Sequence, residues 1–258
     1  MNKLKLYFIP GLFLLMLISS SITTAAEKLT EEQIHAIIKE VDQLYRANSS
    51  YSKIEMNIVT PNWERTLSMY GWSEGTEKTF IRITDPIKEE GVATLRIGNE
   101  MWNYLPKTDK VIKVPPSMMM SSWMGSDFTN DDLVKEFSLF KDYTYKLIDV
   151  GGGTDDNYYI NCIPNEGVPV VWKNIVFCVR KADKIPIWAR YYDEKDRLMR
   201  VLNYSDVKKF GDRVVPASLE MVPQNKEGHK TTIRYLEIEF NAKLDPDTFT
   251  LRNMQSHK

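Results

Sequence analysis

With 258 residues, 34 basic and 35 acidic side chains and a formal net charge of −1 at pH 7, the chain carries no basic block and argues against a nucleic-acid partner. Its length is one that all-β barrels and sandwiches use as a single domain.

The first 26 residues read as an export signal. Lys3 and Lys5 open it, Leu6 to Ile18 is almost wholly apolar, and Thr24-Ala25-Ala26 offers small residues for cleavage. The apolar run is shorter than the ~20 residues a bilayer-spanning helix needs, and no cysteine follows the cleavage site to take a lipid. A cleaved leader, 1–26, and a soluble periplasmic domain without a lipid anchor, 27–258, are therefore expected.

Thr30 with Gln33 makes a capping box and Leu29 with Ile34 a hydrophobic staple, so a helix starts here. Ile34, Ile37, Ile38, Val41, Leu44 and Tyr45 fall on one stripe at helical spacing. Such a stripe either covers a sheet or forms a movable lid over a cavity.

From Tyr51 the period changes to two. Ile54, Met56 and Ile58 alternate with Lys53, Glu55 and Asn57, and Ala93, Leu95 and Ile97 alternate with Thr94 and Arg96. Further runs of this kind, among them TLSMYGW, KTFIRIT, EMWNYLP, KVIKV, YTYKLID, PIWARYY, RLMRVLNY, VVPASLEMV and TTIRYLEIEF, extend to Phe240. A mainly β chain with some helix (α+β) results: an antiparallel meander of about ten or eleven strands. So long a sheet curls and must cover its concave face.

Pro115 to Asp132, PPSMMMSSWMGSDFTNDD, stands apart. Pro115-Pro116 ends a strand by removing ladder donors, Gly125 permits an abrupt turn, and Thr129 with Asp132 resembles a weak capping box that begins a second helix. Between them lie Met118, Met119, Met120, Trp123, Met124 and Phe128. Thioethers suit Cu(I), but three consecutive residues point in different directions. A Met-rich surface that repacks around apolar partners fits the composition better. Ser117 to Phe128 reads as a mobile gate with few polar anchors and Trp123 and Met124 as its apolar latch, or else as a rigid core-filling loop. Asp131 and Asp132 fall in the first turn of the second helix, where negative charge is favoured.

Catalytic signals are lacking. His35, His229 and His257 have no partner at ligand or catalytic spacing, no HExxH, GxSxG or phosphate loop occurs, and Gly151-Gly152-Gly153 is followed by no helix pattern. No enzyme, metal site or cofactor is expected. Cys162 and Cys178, in the strand-like runs NYYINCI and NIVFCVR, leave open either a disulfide or two buried free thiols.

The run EEGVATLRIGNEMWNYLPKTDKVIKVPPSMMMSSWMGSDFTNDDLV, Glu89 to Val134, resembles the outer-membrane lipoprotein-sorting proteins. These are relatives of the periplasmic carrier LolA within a half-barrel superfamily that also holds LppX- and RseB-type proteins. MWNYLPKTDK and SWMGSDFTNDDL carry the resemblance most specifically, and looser likeness continues to NAKLDPDTF. It implies a strongly curved antiparallel half-barrel, helices over its apolar concave face, and a cavity for the acyl chains of a lipid or lipoprotein. It also implies work beside an inner-membrane transporter of the RND or MMPL type. The carriers place an arginine before a proline at the end of an early strand, whereas here Asp85 precedes Pro86, so that latch is not carried over.

The resulting expectation is a non-catalytic, monomeric carrier. Met56, Leu95, Trp102, Met118, Met119, Met120, Trp123, Met124 and Phe128 would line its cavity or gate, under a lid helix of Ile34, Ile37, Ile38, Val41 and Leu44. The alternative is an RseB-like regulatory module that senses lipoproteins and binds a partner protein.

Overall fold

Thirteen antiparallel strands form one open, curved sheet in the computed structural model, which describes residues 29–135, 142–168 and 170–256. The leader expected over 1–26 and His257 lie outside the described residues. Before the sheet comes α1, Glu31–Gln43, whose Thr30 and Gln33 make the reciprocal capping box. Burying Ile34, Ile37 and Ile38 stabilises the docked helix by about 1.5–3 kcal/mol per side chain. Leu44 sits at the C-cap, half-buried and outside the hydrophobic clusters, because at helical spacing it falls on the edge of the stripe whose middle, Val41 and Tyr45, packs against the sheet.

The strands are β1 Ser49–Val59, β2 Glu64–Glu74, β3 Lys78–Asp85, β4 Ala93–Ile97, β5 Glu100–Leu105, β6 Lys110–Lys113 and β7 Tyr143–Leu147. They continue with β8 Asn157–Pro164, β9 Asn174–Arg180, β10 Pro186–Tyr192, β11 Leu198–Phe210, β12 Arg213–Pro223 and β13 Lys230–Phe240. Thirteen exceeds the ten or eleven expected, because both cysteine-bearing runs hydrogen bond as full members beside the alternating runs.

Two meanders, β1 to β6 and β7 to β13, join where the first strand pairs with the last, giving the order β6-β5-β4-β3-β2-β1-β13-β12-β11-β10-β9-β8-β7. The two sheet edges are therefore consecutive strands. The chain that leaves β6 travels along one face: Trp123 reaches Thr94 of β4, Asp127 reaches Thr231 of β13, and Asp132 reaches Arg200 of β11. This segment holds the short helix α2, Asn130–Lys135, which begins at Thr129 as expected. The Thr129 amide donates to Asp132 at 2.7 Å and the Asp132 amide to the Thr129 hydroxyl at 3.1 Å.

Pairing register decides which face each side chain serves. On the inner face, the one crossed by that segment, Ile54 stands opposite Met69 and Met56 opposite both Leu67 and Ile233. Two clusters form there, one around α1 and one around Trp123. A third cluster joins Phe80, Ala93, Leu95 and Tyr104 to Phe249 and Met254. Met254 ends α3, Leu251–Met254, so this core lies on the outer face beneath the C-terminal segment. Among the described residues no helix is long and apolar enough to cross a membrane.

Candidate ligand cavity

Between α1, the segment after β6 and the inner face lies a cavity of about 280 Å3. Its floor is made by the central strands, with Ile54 and Met56 of β1, Met69 of β2, Ile81 of β3 and Ile233 of β13 among its lining. Gly71 opens this floor. A β-carbon there would meet the Ser52 hydroxyl at 2.9 Å, closer than real β-carbons come, and Ile54 at a tight 3.3 Å, so the approach of these two side chains explains a glycine inside a strand. Ile38 and Val41 of α1 with Tyr45 just beyond it form one wall and Trp123, Phe128 and Leu133 another.

Of the residues expected to line the cavity, Met56, Trp123 and Phe128 do so, together with Ile38 and Val41 of the lid stripe. Leu95 and Trp102 are corrections. They face each other across β4 and β5 in the outer cluster, because the apolar half of the ATLRI alternation packs under the C-terminal segment. Thr94 and Arg96, the polar half, point inward and are buried. Arg96 donates to the carbonyls of Gly98 at 2.9 Å and Thr76 at 2.7 Å, which is how a cation is accommodated there.

The methionine run is also corrected. Met118 and Met120 are 51% and 45% exposed, and Met119 and Met124 pack beside the Trp123 cluster without lining the cavity. Consecutive residues in a turn point apart, so only part of such a run can face one place.

The premise of few polar anchors fails as well. Trp123 is 4% exposed and donates through Nε1 to Thr94 at 3.1 Å. The Trp123 amide donates to the Phe128 carbonyl at 2.8 Å, the Asp131 amide to the Met119 carbonyl at 2.7 Å, and the Asn130 side chain to the Met118 carbonyl at 3.0 Å. Asp127 accepts from the Thr231 hydroxyl at 2.8 Å. Arg65 donates to the Met124 carbonyl, and to Glu89 at 3.0 Å. Gly125 does take the turn expected of it, at φ 75°, directly after Met124 at φ 52°.

Sequence reasoning missed Arg200. Its Nη1 and Nη2 donate to both oxygens of Asp132 at 2.8 and 2.5 Å, and the rings of Trp172 and Tyr191 lie 4.5 and 4.3 Å from its Cζ. Burial opposes both charges, yet the Arg200 guanidinium and the Thr129 donors hold the Asp132 carboxyl below its ordinary range. Burial likewise disfavours charge on Arg200, but Asp132 keeps that group above its own ordinary value. On the opposite wall burial raises the Asp42 carboxyl of α1 against the pull of Arg46, four residues on.

Cys162 and Cys178 are buried and free. Cys162 stands opposite Ile175 and Cys178 opposite Tyr159, an offset of three residues that sends the thiols to opposite faces. The open alternative closes on free thiols.

A family model of the DUF1329-like type, described as "uncharacterized protein", matches residues 75–256. The fold is similar to that of a DUF1329 family protein from Desulfovibrio piger, at 24% identity and a TM-score of 0.77, over 87% of this chain and 98% of that one. A domain from Vibrio parahaemolyticus described as a putative outer membrane lipoprotein-sorting protein aligns at 18% identity and a TM-score of 0.73, over 88% of this chain and 100% of its own. A LolA superfamily protein from Nitrosomonas europaea aligns at 19% identity and a TM-score of 0.70, over 88% and 100%. At these identities the likeness is one of fold. No curated protein matches the sequence.

Proposed function

The chain belongs to the DUF1329-like family, and on that premise we propose that it is a non-catalytic periplasmic carrier that holds the acyl chain of a lipid or lipoprotein inside its half-barrel. The observation that carries this reading is the partly open cavity of about 280 Å3 with a floor of Ile54, Met56, Met69, Ile81 and Ile233. That volume stands just below the roughly 300–1,000 Å3 of ligand pockets, enough for one chain in this arrangement of the covers. Each methylene moved from water into such a site contributes about 0.8 kcal/mol.

In this reading α1, through Ile38 and Val41, and the segment around Trp123 and Phe128 are the covers of the concave face, and larger cargo needs them displaced. An inner-membrane transporter of the RND or MMPL type is the partner proposed to load or unload it. The test is mass spectrometry of an organic extract of the purified protein together with uptake of the neutral dye Nile red. Co-purified acylated molecules and saturable dye uptake are expected; an extract without lipid and no dye uptake would overturn the reading.

A further inference from the structure

The cavity has a polar end that meets a second, open cleft, and we infer that this cleft is a head-group site. The cargo is then an amphiphile whose acyl chain lies along β1 toward Met56 and Trp123 and whose uncharged polar head rests outside the chain's bore. This rests on the carrier reading and adds to it the class of molecule and the direction in which it lies. Register orders the inner face in rows. Ser50 stands opposite Ser73 and Ser73 opposite Thr79, then Ser52 opposite Gly71, Ile54 opposite Met69, and Met56 opposite Leu67. Polarity therefore falls along β1, from a row of three hydroxyls to aliphatic and thioether side chains. Burial rises the same way: Ser50, Ser73 and Thr79 are half-buried, whereas Met56 and Leu67 are fully buried. The hydroxyl row, Ile54 and Met56 all line the one cavity. Ser50 and Ser73 share a hydrogen bond of 2.7 Å, which uses one of their two O–H donors.

Beyond that row lies the cleft, about 810 Å3, with Glu40, Asp42, Arg46, Asn48, Thr76 and Arg213 in its lining. Asp42 and Arg46 line the cavity as well, so the two spaces meet at the C-terminal end of α1. The Gly75 amide donates to the Asn48 carbonyl at 2.9 Å, which holds the β2 to β3 turn, with Thr76, beside the start of β1. The charged groups of the cleft are Glu40 and Asp42 against Arg46 and Arg213, a balanced set. Arg46 is paired with Asp42, and Arg213 donates to the Gln43 carbonyl at 3.2 Å. A charged head would find no excess of the opposite sign there, whereas a hydroxyl-bearing head finds donors and acceptors together. The other ion pair of the lining, Asp132 with Arg200, lies off this line on α2 and β11 and engages itself through both prongs. Lengths agree with the assignment. Ser50 to Met56 spans about 20 Å of strand, and an acyl chain spans one leaflet, about half of a ~30 Å bilayer core. A chain that starts at the hydroxyl row thus ends near Met56.

Photo-crosslinking of the full-length purified protein tests this, with two dodecyl glucosides that carry a diazirine either beside the sugar or at the terminal methyl. Trypsin cuts β1 after Lys53, so the hydroxyl row and the bore fall in different peptides, 47–53 and 54–65. Labelling displaced by excess dodecyl glucoside is expected on 47–53 from the sugar-side probe, and on 54–65 or 114–135 from the methyl-end probe. In competition against Nile red, dodecyl glucoside should outdo 1-dodecene by about fivefold, and by less than about twofold in Thr76→Trp, which fills the cleft from the β2 to β3 turn. Should that variant fail to fold, the labelling of the wild type decides alone. Reversed labelling, one pattern from both probes, an advantage that Thr76→Trp leaves intact, or dye uptake that dodecyl glucoside cannot displace would each overturn the inference and leave an apolar carrier standing. Absence of both displaceable labelling and dye uptake would remove the carrier reading and this one with it.

Discussion

Arg200 of β11 and Asp132 of α2 form a two-pronged ion pair at 2.8 and 2.5 Å between residues 68 positions apart. It ties the segment that leaves the edge strand β6 to the opposite meander. A pair of this kind is a weak source of net stability but costly to break from one side, since the surviving charge stays buried. Asp132→Ala is therefore expected to lower stability by about 3 kcal/mol, and Asp132→Leu combined with Arg200→Met to recover most of it. Denaturant midpoints of the single and double variants check this. Equal losses in both would mean that the residues act through packing rather than charge.

Acid should loosen the same tie. The Asp132 carboxyl is held below the ordinary carboxylate value in the folded chain, so the unfolded chain takes up the proton first. Its contribution is present above the unfolded value of about 3.9 and is lost as pH falls from there through the lower folded value. Thermal midpoints should drop over that window in the wild type, and less steeply in Asp132→Asn. Parallel curves would remove Asp132 from the acid response.

Strands were legible because alternation is a local property, and α1 because its capping box and stripe are. Which face served which core was not. Ala93 and Leu95 read correctly as one apolar side of β4, but their cover, Phe249 and Met254, lies more than 150 positions away, and no local period reports it. Asp132 was legible as a helix-start acid, and it does serve Thr129. Its second partner, Arg200, is set by the closing of one meander on the other. The polar anchoring of Trp123 escaped for the same reason, since Thr94 presents its hydroxyl only once β4 is paired.

Trp123 should behave as a core residue. It is buried, hydrogen bonded to Thr94 and packed among Met56, Leu67 and Met101, so Trp123→Ala is expected to cost about 3–5 kcal/mol. Trp63, 45% exposed at the β1 to β2 turn and stacked on Arg65, should cost less than about 1 kcal/mol. Chemical denaturation of the two variants decides. A small loss at Trp123 with faster dye exchange would restore a loosely seated gate in place of a stapled cover.

Neither thiol should react in the folded protein. Burial pushes both Cys162 and Cys178 upward, with the Tyr159 hydrogen bond and the Arg190 charge opposing this only at Cys178, so little thiolate is available at neutral pH. A chromogenic disulfide reagent is expected to titrate no thiol in buffer and both in denaturant without reductant. No reaction even in denaturant would mean a bridge, and the β8 to β9 register would then be wrong.

The two faces of the sheet can be separated by substitution. Leu95 is fully buried on the outer side against the C-terminal segment, so Leu95→Ala should remove about 2–5 kcal/mol of stability through the void it leaves. It should leave Nile red affinity per folded molecule unchanged, since no atom of the cavity wall is altered. Ile54 stands on the inner side, half-buried and lining the cavity. A larger side chain there enters open volume instead of packed core, which spares most of the cost of overpacking. Ile54→Trp is thus expected to abolish dye uptake while shifting the unfolding midpoint little. If Leu95→Ala weakens uptake and Ile54→Trp leaves it intact, the ligand face has been assigned to the wrong side of the sheet.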